Sequence, residues 1–255
     1  MRNKKMRTHA MYMVLSGLLV LSTTAARLRA QTAREIDTIQ TASGAVKITP
    51  VTHGSVMLEF GGKVIHVDPW SQGDYTGLPQ ADVILITDVH ADHQDRAQID
   101  KLKKAGTVVI APKAVAATIT EAQVIANGEK KTIAGLAVEA VPMYNLQRGP
   151  AAGQLFHDKG RGNGYILTLG GKQIYFAGDT ECTAEMKALK NIDIAFIPMN
   201  LPYTMPPVEA ADCAKAFKPK IVYPYHFRGS DPQEFANALK GTNGVEVRLR
   251  KWYKQ

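Results

Sequence analysis

Asp88, His90, Asp92 and His93 fall within six residues of one another, in the stretch Thr87-Asp88-Val89-His90-Ala91-Asp92-His93. Imidazole and carboxylate groups at this density suit zinc, or manganese and iron, better than calcium or magnesium, which prefer oxygen shells. The stretch follows the apolar run Val83-Ile84-Leu85-Ile86, so it reads as the loop leaving a buried strand. A polar loop after a strand can equally be a solvated turn, and the rest of the chain has to supply the context.

Other apolar runs end in the same way. Val64-Ile65-His66-Val67 runs into Asp68, Gln173 to Gly178 into Asp179, and Ile221 to Tyr225 into His226. Open α/β architectures place ligands beyond the carboxyl ends of their strands. A strand-end Asp is by itself an ordinary turn residue, and a single His after a strand is an ordinary core residue. Their recurrence at strand after strand points to one metal centre. No Gly-x-Ser-x-Gly elbow is present, and neither cysteine has a histidine beside it in sequence.

Periodicity supplies the positioning elements. Strands are expected at 46–53, 55–60, 64–68, 83–87, 108–111, 123–126, 131–134, 136–141, 165–169, 173–177, 192–197, 221–225 and 245–250. Gly61-Gly62 and Gly170-Gly171 mark hairpin turns. Helices are expected at 96–105, 113–120, 183–189, 207–217 and 232–239. Hairpins followed by mixed strand and helix in each half predict an αββα sandwich of two mixed β-sheets flanked by helices. The aperiodic stretch Tyr144–Asn163 is long enough to be a functional loop.

Composition fits one globular domain, 46–255, with 45% hydrophobic residues in a chain of 255. Residues 1–30 combine a basic start (Arg2, Lys4, Lys5, Arg7), the apolar stretch Ala10 to Leu21 and small residues up to a cut after Ala26 or Ala30, the pattern of an export signal. Residues 31–45 read as a linker. Removing the six basic residues of 1–30 from the formal charge of +8 leaves +2, which gives no electrostatic reason to expect nucleic acid. The product is expected in the periplasm or outside the cell, with no stable membrane span after cleavage and a small-molecule substrate. Cys182 and Cys213, the only cysteines, both fall where helices are read, and two buried free thiols are expected.

Asp68, the Asp-x-His-x-Asp-His cluster, Gly178-Asp179-Thr180 and His226 resemble the successive motifs of the metallo-β-lactamase fold superfamily. The stretch Gly160–Tyr165 resembles the branch of ascorbate-phosphate lactonase-like proteins and related metal-dependent hydrolases. The resemblance implies a metal held by Asp92, His93 and His226, with Asp179 bridging toward a second and Asp68 supporting from behind. The second position would hold His90, with Asp88 where the family motif usually has His, as an oxygen ligand or as a residue that orients one. Asn145 and His157 compete for its third place, and His157 is favoured as ligand or substrate contact because His is the commonest metal ligand. One or two divalent ions are implied, zinc first, with manganese or iron as alternatives.

Such a centre lowers the pKa of bound water from about 15.7 toward 7, so metal-bound hydroxide attack on an ester or lactone is the expected reaction. Asp92 or Asp179 would move the proton to the leaving group, and Asn145, Arg148 and Arg161 would contact an anionic substrate group. A phosphodiesterase on the same scaffold and a metal-binding protein without hydrolytic activity are the alternatives.

Overall fold

The computed structural model describes residues 34–253, so the leader expected at 1–30 lies outside the described residues. The first sheet contains β1 (Asp37–Thr41), β2 (Gly44–Thr52), β3 (Ser55–Phe60), β4 (Lys63–Val67), β5 (Ala81–Leu85), β6 (Lys103–Ala111) and β7 (Gln123–Val124), in chain order. The second contains β8 (Lys130–Ile133), β9 (Leu136–Met143), β10 (Gly162–Leu169), β11 (Lys172–Phe176), β12 (Ile194–Pro198), β13 (Ile221–Tyr225) and β14 (Glu246–Val247), again in chain order. In each sheet the first four strands pair antiparallel and the remaining pairings are parallel. The two halves therefore share one connectivity.

Local sequence explains the switch. Gly61 and Gly62 (φ +56 and +77), like Gly170 and Gly171 (φ +56 and +81), take the paired positive φ values that a tight hairpin needs. Beyond each hairpin the chain crosses over, through α1 (Arg96–Leu102) and α2 (Lys113–Ala116) in the first half. The second half uses α3 (Ala184–Lys187), α4 (Pro207–Phe217) and α5 (Pro232–Leu239). The Asp95, Thr183 and Asp231 side chains accept from backbone N–H groups at the starts of α1, α3 and α5.

Three apolar layers result, the αββα sandwich expected from the sequence. Between the sheets lie Ile48, Leu58, Val83, Tyr165, Leu167 and Phe196, among others. Under α1 and α2 lie Ile84, Ile99 and Val115, and under α3 to α5 lie Tyr175, Ile197, Ala214 and Phe235. β12 is buried along its whole length, which is why its sequence, IAFIP, is apolar without alternation. Each fully buried Leu, Ile or Phe contributes about 1.5–3 kcal/mol over its exposed state.

Three expectations need correction. The segment read as a linker, 31–45, contains β1, which pairs antiparallel with β2 from Asp37↔Ile48 to Thr41↔Gly44. Its sequence, DTIQT, is too polar to signal a strand; Ile39 packs on the core, and Asp37 accepts from Arg250 at 2.6 and 2.9 Å. The expected strand 245–250 shortens to Glu246–Val247, after which Arg248 and Arg250 both turn to Asp37. Cys182 and Cys213 form a disulfide rather than two thiols. Cys182 lies in the extended segment before α3, and packing of α4 beside it brings the Cα atoms to 5.6 Å, inside bonding range. Among the described residues no helix is long and apolar enough to cross a membrane.

Candidate metal centre

The centre sits where β2, β4, β5, β11 and β13 end. His53, Asp68 and His226 directly follow β2, β4 and β13 and are held at φ +49, +42 and +46. That left-handed backbone costs roughly 1–3 kcal/mol per non-glycine residue and persists where the surrounding structure fixes it. Here it turns each side chain off its strand and toward a common point. Asp179 follows Gly178 (φ +65), where an added Cβ would meet Met143 Sδ at 2.5 Å, so both the turn and the close packing require glycine.

Asp179 is the hub. Its Oδ2 lies 3.2 Å from His157 Nε2 and 3.3 Å from His93 Nε2, and its Oδ1 lies 3.3 Å from His226 Nε2. Asp92 Oδ2 is 3.2 Å from His226 Nε2 and 3.9 Å from His93 Nε2. On the other side, Asp88 Oδ2 is 2.9 Å from His90 Nδ1 and 3.9 Å from His157 Nε2. The ligand-type atoms of Asp88, His90 and His157 lie within 4.8 Å of one another, as do those of His93, Asp179 and His226, and those of His53, Asp92 and His226. All seven residues expected to bind metal are thus brought together.

Supporting groups fix which nitrogen of each ring faces inward. Asp68 is fully buried; its Oδ2 is 2.8 Å from His93 Nδ1 and accepts from Thr87 Oγ1 at 2.6 Å, while its Oδ1 accepts from Thr87 N at 2.7 Å. Asn145 Oδ1 accepts from His157 N at 2.8 Å and is 2.6 Å from His157 Nδ1. With Nδ1 donating in both rings, Nε2 is the nitrogen of His93 and of His157 that faces the centre. Glu181, which the sequence reading did not single out, is fully buried; its Oε1 accepts from Asn145 Nδ2 at 3.0 Å and Arg148 N at 2.8 Å.

The three residues expected to contact substrate are engaged within the protein. Asn145 spends its carbonyl on His157 and its amide on Glu181 and the Tyr203 carbonyl. Arg148 pairs with Glu181 at 3.2 Å and Glu209 at 2.8 Å. Arg161 holds Asp88 in a two-pronged bond, Nε to Oδ1 at 3.1 Å and Nη2 to Oδ2 at 2.9 Å.

His53, like Glu181, is a site residue that sequence reasoning missed. It obeys the same strand-end rule, but it closes the strand expected at 46–53 one residue before the next strand begins, with no second polar metal-type residue beside it. Its ring stacks on that of His226 at 3.6 Å, with Nε2 3.2 Å from Asp92 Oδ2 and Nδ1 2.7 Å from the Tyr253 hydroxyl. Because an ionised carboxylate only accepts, we assign the His53 proton to Nε2, with Nδ1 accepting from Tyr253.

Burial would neutralise these carboxyls, and the hydrogen bonds and charges around them overcome it. For Asp92, burial is opposed by the charge of His93 and bonds to His226 and His53, which hold it well below the usual carboxylate range. Asp179 is held low against burial by His226, His93 and His157. Burial is likewise outweighed at Asp88, where His90, His93 and Arg161 bring the carboxyl down to about 2. Burial disfavours charge on His93 too, yet Asp179, Asp68 and Asp92 push its pKa well above the ordinary value.

This donor set fits a divalent cation. His93 Nε2, His157 Nε2 and Asp179 Oδ1 are buried and have no hydrogen-bond partner among the described residues, which is costly unless a ligand satisfies them. They converge from different strands and loops, and nitrogen with carboxylate oxygen is the chemistry of zinc, manganese or iron. His90 and Asp92, with side chains 45% and 27% exposed, mark the open side.

Residues 47–226 match the profile of the beta-lactamase superfamily domain. A UPF0173 metal-dependent hydrolase of Geobacillus sp. is 34% identical over 230 residues, covering 79% of this chain and 100% of the relative. Among solved structures, one described as a metal-dependent hydrolase from Parabacteroides distasonis superposes with a TM-score of 0.81 at 43% identity, over 86% of this chain and all of that one. Igni18, a metallo hydrolase from Ignicoccus hospitalis, superposes with a TM-score of 0.67 at 25% identity, over 82% of this chain and 96% of that one. The chain belongs to the metallo-β-lactamase superfamily, among its metal-dependent hydrolases.

Proposed function

We propose that this metal-dependent hydrolase is exported and cleaves an ester or lactone bond. The observation that carries the reading is the half-open centre: His93, His157, Asp179 and His226 are buried, while His90 and Asp92 face solvent. A substrate can reach such a centre from one side only, and its reacting carbonyl would meet Asp92 and His90 first.

His93, Asp179, His226 and Asp92 would hold one cation, and His90, His157 and Asp88 would complete a second position beside Asp179. A divalent cation there supplies Lewis-acid activation of water and polarisation of the carbonyl. Asp92, charged and at the mouth, is the group placed to accept a proton from water and pass it to the leaving oxygen; His53 keeps its carboxylate oriented. Asp179 is enclosed by three imidazoles and would be available to both cation positions. Both cysteines are spent in the disulfide, so no thiolate competes as nucleophile.

The ester or lactone class is favoured over phosphodiesters because both arginines of the loop before β10, Arg148 and Arg161, already pair with carboxylates and are not free to neutralise a phosphate group. Export is supported by the basic, apolar and small-residue pattern of 1–30 and by the disulfide, a bond characteristic of oxidising compartments.

Assay of the zinc- and manganese-loaded protein on a γ-lactone, an aryl ester and bis-4-nitrophenyl phosphate tests the class. Turnover of the lactone or ester well above that of the phosphodiester is expected. A reversed order would reassign the substrate, and stoichiometric metal without turnover of any would remove the hydrolase reading.

A further inference from the structure

Arg228 lies two residues beyond His226 and is exposed. Its guanidinium rests over the Trp70 ring at 5.3 Å and the Tyr253 ring at 5.8 Å. Both rings lean on the centre: Trp70 lies 5.3 Å and Tyr253 5.7 Å from the His53 ring, which stacks on His226. Among the described residues no carboxylate is within ion-pair distance of Arg228, whereas Arg148 and Arg161 are both neutralised. Cation–π contact with two aromatic rings holds the guanidinium in place, and its N–H donors make no hydrogen bond to another described residue.

We propose that Arg228 recognises a carboxylate on the substrate, beside the bond that is cleaved, and so sets the specificity for acidic esters or lactones. A single guanidinium carries one charge and a planar fork of donors, which matches the single charge and planar oxygen pair of a carboxylate. Trp70 and Tyr253 act as the rigid cradle, and the Tyr253 hydroxyl, committed to His53 and to the Phe227 N–H, locks that cradle to the centre. The inference rests on the ester or lactone reading above.

Two measurements on the zinc-loaded protein test it, using wild type, Arg228→Lys and Arg228→Met. Met keeps packing volume between the rings and removes the charge. Calorimetric titration with glutarate, its neutral diamide and phenyl phosphate reads binding without turnover. Coordination to the metal is common to all three proteins, so differences among them report Arg228. Glutarate should bind about 10- to 100-fold more weakly to Arg228→Met, with Arg228→Lys between, at unchanged metal content. In the second measurement, the ratio of kcat/KM for 4-nitrophenyl hydrogen glutarate to that for 4-nitrophenyl valerate should fall in Arg228→Met, mainly through KM.

Unchanged glutarate binding in Arg228→Met, or an equal loss on the charged and neutral esters, would overturn the proposal. Phenyl phosphate bound more tightly than glutarate in an Arg228-dependent way would overturn the carboxylate assignment. If wild type hydrolyses neither ester, the ester reading fails, and the glutarate titration still decides the role of Arg228.

Discussion

Asn145 Oδ1 lies 2.6 Å from His157 Nδ1 and also accepts the His157 backbone N–H at 2.8 Å, so one amide oxygen fixes both the backbone and the ring of its neighbour. The two residues are twelve apart in sequence and close the neck of the loop that spans 144–161. Through this bond the loop is not a loose cover. It is the element that delivers a histidine to the centre.

Asn145→Ala should therefore weaken metal binding by about 10- to 100-fold, the usual loss when the partner of a ligating imidazole is removed. Chelator competition on the purified variant reads this directly. Wild-type affinity in Asn145→Ala would mean that His157 is not a ligand.

Asp88 and Arg161 should behave as one unit. Arg161→Met leaves a buried carboxylate without its two-pronged partner and should cost about 3 kcal/mol, the low end for such pairs because Arg161 is partly exposed. Asp88→Asn combined with Arg161→Met should recover much of that loss. Denaturant unfolding of the two singles and the double provides the cycle, and additive losses would show that the pair is not coupled. Asp88→His on its own should not restore the family's usual ligand pattern, because it sets an imidazole against an unpaired guanidinium.

Acid should loosen the fold through His66. Burial holds this imidazole at about 4, against a bond to the Pro79 carbonyl that favours its charge. Between pH 6.5 and 4 the unfolded chain binds a proton that the folded protein refuses, so stability is complete above 6.5 and falls as pH drops toward 4. The loss from this residue is roughly 3 kcal/mol across the window. Denaturant midpoints at pH 7 and pH 5 should differ less in His66→Gln than in wild type; an equal difference would place the acid sensitivity elsewhere.

The disulfide closes a span of 31 residues, and chain-entropy reasoning gives it about 3–4 kcal/mol. Cys182→Ala with Cys213→Ala, or reduction of the native protein, should lower the melting temperature accordingly. Cys182 adjoins Glu181, which carries Asn145, so metal retention should weaken as well. A melting temperature indifferent to reductant would contradict this.

Much of the architecture was legible because it is periodic. Ser55–Phe60, Pro207–Phe217, Ile221–Tyr225 and Pro232–Leu239 lie where apolar spacing and flanking Gly, Pro or Asp put them. The cluster from Asp88 to His93 and the strand-end residues Asp68, Asp179 and His226 were visible for the same reason: a polar residue at the end of an apolar run stands out. What stayed hidden depends on long-range partners. Asp37 and Arg250 pair across 213 positions, and Tyr253 reaches His53 across 200. Nothing local in either segment announces its partner. Asn145, Arg148 and Arg161 were recognisable as polar residues of a site-lining loop, but which faced inward depended on Glu181, Glu209 and Asp88, contributed from elsewhere in the chain.

The shared connectivity of the two sheets was half visible. Both halves show a hairpin at paired glycines followed by alternating strand and helix, yet no residue pattern repeats between them. Hydrophobic cores tolerate extensive substitution if patterning is kept, so two halves can keep one topology with different side chains.

The most direct test of the Asp179-centred assembly is metal content per chain, measured on protein purified without chelator, for wild type and Asp179→Ala. Removing this carboxylate withdraws the group that faces His93, His157 and His226 together. Wild type should hold one or two equivalents of a divalent transition metal and Asp179→Ala should hold close to none, with circular dichroism showing the variant still folded. Equal metal in the two folded proteins would contradict the account.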